Sequence, residues 1–596
     1  MKTKFREIAG KAQDVLLRYP MVLLMSLLAS IGAICMLEKE YDKEAFFTYS
    51  KFMICCGLGI SLMFALKILS QRIGKRLLLE VLGAALLVGF YFILPENRKD
   101  FNEVQGFIIA IAFLLSHLLV SFIAFLEKNK ELSFWQYNKN LFVNIFLTAV
   151  FTGVLTGGVE LAILAIDKLF DFNFHDKLYL DTFYVLAIFG SSFIFLLFNE
   201  TGLSYLEKDG TYPVVLKFFT QFVLIPLLFI YLIILYFYSF KIIINWELPR
   251  GWVSYLILAY SVVGILALLL VYPLKEEKAK SWVKIFSKLF YYTIIPLLVL
   301  LFTAIFTRIL EYGYTEPRYF VLLLALWLLS VVVYFVFSRK ASIKFIPVSL
   351  FIFGIFSLIF PYFNAFSVAK RSQKNQLITL LEENKLLVNS KIDFQKKVSD
   401  TLVDELANKF YFLAERKQKD FLLNLVSGQT RSLLAEDFEQ PYSWAVGTTI
   451  KEAFSHVSKT PENSVYENLI LESETKIVYI QGYQYLINFN NDMRESKEVN
   501  GDTFLIDSQQ KTNDLKTIKV TLNSKETMDF GPAINKLFES VSTKAGTAKM
   551  KEIAMEGNLG KYHIKIVFPS ILKEGNPYNK RKDISYDNAL LLIREK

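Results

Sequence analysis

Residues 318–338 read RYFVLLLALWLLSVVVYFVFS and carry one charged side chain, Arg318, at their start. A helix needs about 20 apolar residues to cross the roughly 30 Å of hydrocarbon in a bilayer, and this run has that length. Ten further apolar runs lie at residues 20–37, 50–69, 77–94, 105–126, 141–166, 181–199, 214–244, 253–273, 284–310 and 344–362. The pattern predicts an α-helical polytopic membrane bundle of about eleven transmembrane helices.

The composition separates two parts of the chain. Of its 596 residues 54% are apolar, the mean hydropathy is +0.37, and the excess is confined to residues 20–363. This excludes a single soluble globule, a disordered chain and a disulfide scaffold. Most of the net charge of +10 also lies in the first 362 residues, where basic residues are typical of membrane loops. We expect no nucleic-acid partner, because no basic stripe alternates with exposed aromatic residues.

The charges in the loops predict the orientation. If residues 1–19 form a basic cytoplasmic N-terminus, the inside segments hold about twice as many Lys and Arg residues as the outside loops. Eleven spans then place the C-terminal region outside, and one span more or fewer would reverse that side. The three cysteines, Cys35, Cys55 and Cys56, all lie in apolar runs, so the C-terminal region can fold on either side.

The region after the spans predicts two parts. In residues 363–429 apolar residues recur every three or four positions, which predicts a helical neck with a turn near Asn389–Lys391. We expect residues 430–596 to form a soluble α+β domain. Its strand-like runs are KIVYIQGYQYLINF, DTFLID, KTIKVTL and KYHIKIVF, and GPAINKLFESV reads as a helix with Pro532 in its first turn.

Two short stretches carry a family resemblance. One is Arg308–Tyr319, with the sequence RILEYGYTEPRY, and the other is Ala365–Gln373, with the sequence AFSVAKRSQ. They resemble the bacterial membrane proteins grouped as domain of unknown function 4153, although Ala369 stands where a second Ser is usual. The resemblance implies a multi-pass protein of the bacterial cytoplasmic (inner) membrane, and it implies no activity.

The first two candidate site residues lie inside spans. In the fifth run Gly153 and Gly157 form a small-xxx-small pair, which lets helix backbones approach closely, and Glu160 shares their face and that of Thr156. An ionisable residue inside a span is expensive and often functional. The alternative is that Glu160 is solvated near the outer headgroups. His117 lies in the middle of the fourth run. It could relay protons or simply hydrogen-bond a neighbouring helix.

The loop before residue 318 supplies four more candidates, Arg308, Glu311, Glu316 and Arg318. These charges could bind a lipid headgroup or another anion. The alternative is a helix start, in which Thr315 caps, Glu316 complements the helix dipole and Pro317 opens the first turn. That alternative does not explain Arg318, because a basic residue in the first turn opposes the dipole. We therefore expect an acid, Glu311 or Glu160, or an anionic headgroup to hold Arg318.

Three classes of function stay open. The first is a membrane-anchored sensor or scaffold whose outer domain binds a protein partner, and the second is a transporter or lipid flippase with a pathway between helices kinked at Pro226 and Pro296. An intramembrane enzyme is third, because the sequence has no nucleotide, zinc-protease or serine-hydrolase motif. The expected partners are membrane lipids, and neither a cofactor nor a metal is expected.

Overall fold

A computed structural model describes the chain except for residues 1, 128–129, 209–212, 246–251, 276–280, 339, 441–443, 459–467, 476, 492, 509–510, 513–514, 542–545 and 575–583. The chain folds as two compact units. The first unit comprises Met1–Ile392 and Asn408–Thr449, and the second comprises Asp393–Ala407 and Ile450–Lys596. The boundaries drawn from the sequence at residues 363 and 430 stay predictions.

Long apolar helices dominate the first unit, and in the described residues ten are long and apolar enough to cross a membrane. A polar helix, α1 (Lys2–Arg18), precedes them. The helices that form the ten spans are α2 (Pro20–Glu38), α3 (Lys43–Ile73), α4 (Arg76–Ile93), α5 (Glu103–Phe122), α6 (Glu131–Phe170), α7 (Asp176–Tyr184) with α8 (Ser191–Phe198), then, after the short α9 (Leu203–Leu206), α10 (Val214–Phe219) with α11 (Ile225–Asn245), α12 (Trp252–Leu270), α13 (Ser281–Tyr312) and α14 (Glu316–Phe337). The polytopic helical bundle predicted from the sequence is confirmed.

The eleventh apolar run forms a shorter helix, α15 (Phe345–Ile359), of 15 residues. Just before it, the Ile343 amide donates to Glu131 at the start of α6. Just after it, the Phe363 carbonyl accepts a hydrogen bond from Tyr319 at the start of α14. The helix α14 begins beside the contact between Tyr319 and Phe363 and ends beside the contact between Ile343 and Glu131. The helix α15 runs between the same two contacts in the opposite direction, so it connects the same two ends of the bundle as the ten longer spans do.

The two ends of the bundle are each defined by contacts between alternate loops. At the Arg72 end, Arg72 pairs with Glu207 at 2.7 Å, and Arg18 donates to the carbonyl of Thr201 at 2.7 Å. At the Glu316 end, Asn102 donates to the carbonyl of Glu415. Loops that are predicted from the sequence to lie on the same side of the membrane therefore contact each other.

The apolar core of the bundle has two clusters. One is built mainly from α2–α6 and the other from α11–α15, and the Trp135 indole joins them by donating to the Leu269 carbonyl at 2.7 Å. Two spans contain π-helical turns, Val185–Gly190 between α7 and α8 and Thr220–Leu224 between α10 and α11. The second lies directly before Pro226, where the missing proline N–H and the ring disturb an α-helical ladder. Pro296 lies inside α13.

The first unit also contains a small group of helices that we call the cap, namely residues 365–392 and 408–449. It consists of α16 (Ala365–Glu383), a hairpin of β1 (Leu387–Val388) and β2 (Lys391–Ile392), the later part of α17 (Asp400–Glu415), α18 (Lys419–Leu425), α19 (Gly428–Asp437) and the first residues of α20 (Trp444–Ala453). Asn389 and Ser390 have φ of 48° and 61°, which suits a tight hairpin turn. The turn predicted near Asn389–Lys391 is confirmed.

The second unit is rich in strands. Its strands are β3 (Val398–Ser399), β4 (Val457–Ser458), β5 (Leu469–Ser473), β6 (Tyr485–Phe489), β7 (Arg494–Val499), β8 (Asp502–Asp507), β9 (Lys511–Thr512), β10 (Leu515–Lys516), β11 (Lys519–Leu522), β12 (Glu526–Asp529), β13 (Gly546–Met550), β14 (Ile553–Leu559), β15 (Tyr562–Phe568), β16 (Ser570–Lys573), β17 (Ile584–Ser585) and β18 (Ala589–Glu595). Three four-stranded sheets have the orders β12-β11-β8-β7, β13-β5-β16-β17 and β14-β15-β18-β6.

The α+β character predicted for this region is confirmed, including the helix α21 (Gly531–Glu539) with Pro532 in its first turn. The run KIVYIQGYQYLINF is strand-like throughout, but among its described residues only Tyr485–Phe489 form a strand. Ile477, Tyr479 and Ile480 before it are exposed. A strand requires a neighbouring strand as well as alternation, and no described strand pairs with residues 477–480.

Candidate functional site

The loop between α13 and α14, residues 312–319, is held in place by a glycine. Gly313 has φ of 72°, and its amide donates to the Ile309 carbonyl at 2.9 Å to close the last turn of α13. A Cβ at this position would lie 2.8 Å from Ser372 Oγ and from Gln376 Cγ. Both the backbone conformation and the available space therefore require glycine here.

The same loop is hydrogen-bonded to α16. Ser372 Oγ accepts from the Tyr314 amide at 2.8 Å, and the Gln373 amide group donates to the carbonyls of Tyr312 and Tyr314 at 2.9 Å each. Gln373 is buried, and its oxygen accepts from the buried Lys409 ammonium. The two stretches that carry the family resemblance thus contact each other directly.

A buried ion pair completes this contact between bundle and cap, which we call the junction. Glu316 has no exposed surface and the Arg416 side chain is 2% exposed. The guanidinium binds both carboxylate oxygens at 2.7 Å, and it also donates to the Phe412 carbonyl and stacks on the Phe412 ring. Bidentate geometry gives a strong pair, and losing one partner would leave a buried charge uncompensated.

Further carboxylates surround the Arg416 guanidinium. Glu103 and Glu415 each lie 3.6 Å from it. Burial raises the pKa of the Glu415 carboxyl, which accepts a hydrogen bond from Tyr411 at 2.8 Å. Burial, together with Glu415, raises the pKa of Tyr411 to about 12. One cation thus stabilises a crowded set of acids.

Arg318 is held by backbone carbonyls. Its guanidinium donates to the Tyr312 carbonyl at 3.1 Å and the Gly313 carbonyl at 2.9 Å. Within the described residues it forms no ion pair with Glu311 or Glu160, so the acid expected from the sequence is not found. Arg318 belongs to the first turn of α14, but its guanidinium lies at the C-terminus of α13, where a helix dipole favours a cation.

The other charges of this loop are separated. The Glu316 side chain faces the cap, whereas Glu311 is exposed and Arg308 is partly exposed. The backbone of Thr315 occupies the N-cap position of α14, but its side chain makes no capping hydrogen bond, contrary to the expectation.

A second polar region lies inside the bundle along α6. Thr148, Thr152 and Thr156 recur every four residues and are at least 91% buried, and none of their hydroxyl oxygens has a hydrogen-bond partner in the described structure. Both oxygens of Glu160, one turn further on, are buried and equally unpartnered, as is one oxygen of Asp181 in the neighbouring α7. We call these five residues the threonine face.

The glycines of α6 lie on a different side of the helix. Gly153 and Gly157 have no atom within 4 Å of where a Cβ would lie. The interpretation that they share a packed face with Glu160 is therefore wrong. In a helix, positions four residues apart stack on one face, and it is the threonines that continue the line of Glu160.

His117 lines a cavity of about 340 Å³ that also includes Ser61, Ser192 and Thr148. Its Nδ1 lies 2.8 Å from the Phe113 carbonyl. Thr148 belongs to both the cavity and the threonine face, but most of the other lining residues of the cavity are apolar, and Glu160 is not among them. Within the described residues, no three His, Cys, Asp or Glu side chains form a cluster that could hold a metal ion.

Sequence reasoning missed Arg416 and Asp181. Arg416 stands in the charged run ERKQK and has no local signal, although a Glu at the start of an apolar span calls for a cationic partner somewhere in the chain. Asp181 sits at the edge of an apolar run, where it reads as interfacial.

The family model described as Domain of unknown function (DUF4153) matches residues 21–406. The chain belongs to this family. The match covers the spans, the loop 312–319 and α16, and it ends before Arg416 and before most of the second unit. Both stretches identified by resemblance lie inside it.

Among curated proteins, this DUF4153 protein is 27% identical over 343 residues to "Uncharacterized protein PM1469" of Pasteurella multocida (strain Pm70). The alignment covers 54% of the chain and 57% of that relative, so it spans little more than half of each. No solved structure matches the chain.

Proposed function

We propose that this integral membrane protein is a membrane-anchored scaffold or sensor whose cap is fixed to the spans and whose C-terminal region binds a protein partner. The observation that carries the proposal is the buried pair between Glu316 and Arg416. Mobile lids have few buried contacts. The cap instead has a bidentate ion pair and three hydrogen bonds with the loop, one accepted by Ser372 and two donated by Gln373, which suits a rigid attachment.

An exposed apolar segment in the second unit supports a protein partner. Ile477, Tyr479 and Ile480 are 68%, 75% and 53% exposed, and Leu486 on β6 is 50% exposed. The strand β6 is at the edge of its sheet. Apolar surface beside an open sheet edge suits a partner that adds a strand.

The orientation is part of the proposal. We place the protein in the bacterial inner membrane with the N-terminus in the cytoplasm and the Glu316 end outside, in keeping with the two-to-one bias of basic residues. A cytoplasm-dependent fluorescent reporter fused after Lys596 should then be dark. A bright fusion would reverse the orientation.

The scaffold is tested by photocrosslinking in living cells. A photoreactive residue at Tyr479 or Leu486 should give a discrete adduct with one protein, identifiable by mass spectrometry. The matched control is Lys525, an exposed residue in the turn between β11 and β12. Adducts that are equal at all three positions, or absent from all three, would contradict the proposal.

A second function, a transporter of protons or small cations, is favoured by one observation. The threonine face aligns unpartnered hydroxyls with Glu160 and Asp181 inside a span, which is typical of ion pathways. The purified protein in liposomes, under an imposed potential, should then acidify the lumen as reported by a pH-sensitive dye. Glu160→Gln should abolish this flux. Equal flux in parent and variant would exclude the pathway.

A further inference from the structure

The Arg72 end of the bundle contains a polar cavity that neither function uses. Its volume is about 610 Å³, and its charged lining residues are Asp14, Arg18, Lys67, Arg72, Arg76 and Glu207. They come from α1, α3, the start of α4 and the segment after α8. Four cations and two carboxylates give this lining an excess of two positive charges.

Two of the four cations are neutralised by the chain. Arg72 is bound by Glu207 through two contacts, at 2.7 and 3.4 Å, and Arg76 is bound by Glu80 at 2.7 Å. The other two are not paired with an acid in the described structure. Arg18 donates to the Thr201 carbonyl, and within the described residues the Lys67 ammonium has neither a hydrogen bond nor an ion pair.

The wall of the cavity is preformed. Gln71 Oε1 accepts from the Leu203 amide at 2.7 Å, and a Cβ on Gly202 would lie 2.4 Å from that oxygen. Tyr19, which is fully buried, donates to the Asn199 carbonyl at 3.0 Å. These contacts fix the segment after α8 against α3 and against the connection between α1 and α2, so the chain itself holds the cations together.

The position of the cavity indicates which class of ligand it binds. Arg18 precedes the first span, Lys67 lies near the end of α3 and Arg76 begins α4, so all three stand where helices leave the hydrocarbon. Lipid phosphates lie at this level, and basic pockets between helices bind anionic headgroups. Guanidinium groups suit phosphate oxygens in particular.

We propose that this cavity binds the phosphate group of an anionic ligand, with Arg18 and Lys67 as its main cationic contacts. The phosphate belongs either to an anionic phospholipid headgroup or to free phosphate. The cavity has room for a whole headgroup. With Asp14 counted against Arg18 and Lys67, the lining outside the two ion pairs carries one positive charge, which balances a singly charged phosphodiester.

The test measures binding to the full-length protein in detergent. Three additions are compared: phosphatidylglycerol, phosphatidylcholine and inorganic phosphate. Phosphatidylglycerol should raise the melting temperature and remain bound in native mass spectrometry, whereas phosphatidylcholine should not. If inorganic phosphate alone reproduces the stabilisation, the ligand is free phosphate. No response of the parent to either phosphate source would overturn the site.

Variants locate the site. Arg18→Gln with Lys67→Gln should weaken phosphatidylglycerol binding by roughly tenfold to thirtyfold, because each basic residue near an anionic headgroup contributes on the order of 1 kcal/mol. The matched control, Lys39→Gln with Lys43→Gln, removes two charges from the opposite end of the bundle. Equal losses in both pairs would contradict the proposal.

A third variant tests the site even if the double variant Arg18→Gln with Lys67→Gln does not fold. Ser204 is exposed and lines the cavity, so Ser204→Glu adds a carboxylate there without removing a packed side chain. It should weaken binding as the double variant does, while its melting temperature without lipid stays that of the parent. Unchanged phosphatidylglycerol binding in Ser204→Glu would count against the cavity.

Discussion

The junction and the threonine face each bury a carboxylate, and the chain treats the two groups in opposite ways. Glu316 receives a bidentate guanidinium at 2.7 Å, whereas both oxygens of Glu160 are buried without any hydrogen bond in the described structure. A buried charge with a partner from its own chain fixes a conformation. One without such a partner is available to something outside the chain. The comparison separates a structural acid from a candidate functional one.

Removing the cationic partner of Glu316 should have the largest effect on stability. Arg416→Met leaves Glu316 buried and uncompensated, so we expect the first unit to lose about 3–5 kcal/mol of stability. Thermal unfolding in detergent would measure this. Adding Glu316→Leu to Arg416→Met should recover most of the loss, because the unpaired charge is then gone.

The control for this prediction is Lys419→Met on the same cap. Lys419 pairs with Glu439 at 2.8 Å, but the two side chains are 41% and 68% exposed, and such solvent-exposed pairs contribute about 0–1 kcal/mol. If Arg416→Met and Lys419→Met lower the melting temperature equally, the buried ion pair of the junction contributes no more to stability than the exposed pair, which contradicts the prediction.

Two glycines provide the next contrast. Gly313→Ala should destabilise by about 2 kcal/mol, because alanine is strained at φ of 72° and its methyl group meets Ser372 and Gln376. Gly153→Ala should be neutral or stabilising by up to about 1 kcal/mol, since open space surrounds that helical position. Melting temperatures that fall equally in the two variants would contradict the geometry of the loop.

The sequence alone predicts the spans but not most of the difference between the junction and the threonine face. Apolar run length predicted the spans because hydrocarbon thickness fixes it, but α6 and α13 reach 40 and 32 residues by including polar ends that hydropathy does not detect. The resemblance identified the loop 312–319 and α16 without indicating that they touch. Arg416 lies 100 residues beyond Glu316, and only the fold connects them.

Arg318 and Glu160 show two other limits of prediction from the sequence. A search for acids near Arg318 could not find its partners, because they are main-chain carbonyls. For Glu160, periodicity gave the correct helix but assigned the threonines and the glycines to one packed face, whereas only the threonines are buried. Packing against α7 and α8 decided between them.

The threonine face should respond in the opposite sense to the junction. Thr152→Val keeps the shape and removes a buried hydroxyl that has no partner, so stability should stay level or rise by about 1 kcal/mol. Thermal unfolding beside the Arg416→Met variant would measure this. A clear loss of stability in Thr152→Val would mean that this hydroxyl is structural, and the comparison would fail.

The smallest effect concerns pH. Burial raises the pKa of Glu415, so the folded protein binds this proton more tightly than the unfolded chain does. Its contribution is therefore favourable below the ordinary carboxyl pKa of about 4.3 and is lost as pH rises through the raised value. Glu415→Gln removes this titration, so its melting temperature should fall less than that of the parent between pH 4 and pH 7. Parallel profiles would contradict the assignment.

The short helix α15 has a consequence for the lipid around it. Fifteen residues rise about 22 Å, which is less than the roughly 30 Å hydrophobic thickness of a typical bilayer. Phe360, Tyr362 and Phe363, which follow it, are about half exposed or more, as suits an aromatic belt at the headgroup level. Hydrophobic mismatch of this kind draws the adjoining leaflet inward. We therefore expect the bilayer beside α15 to be thinner than elsewhere around the protein, at the end of the bundle that carries the junction.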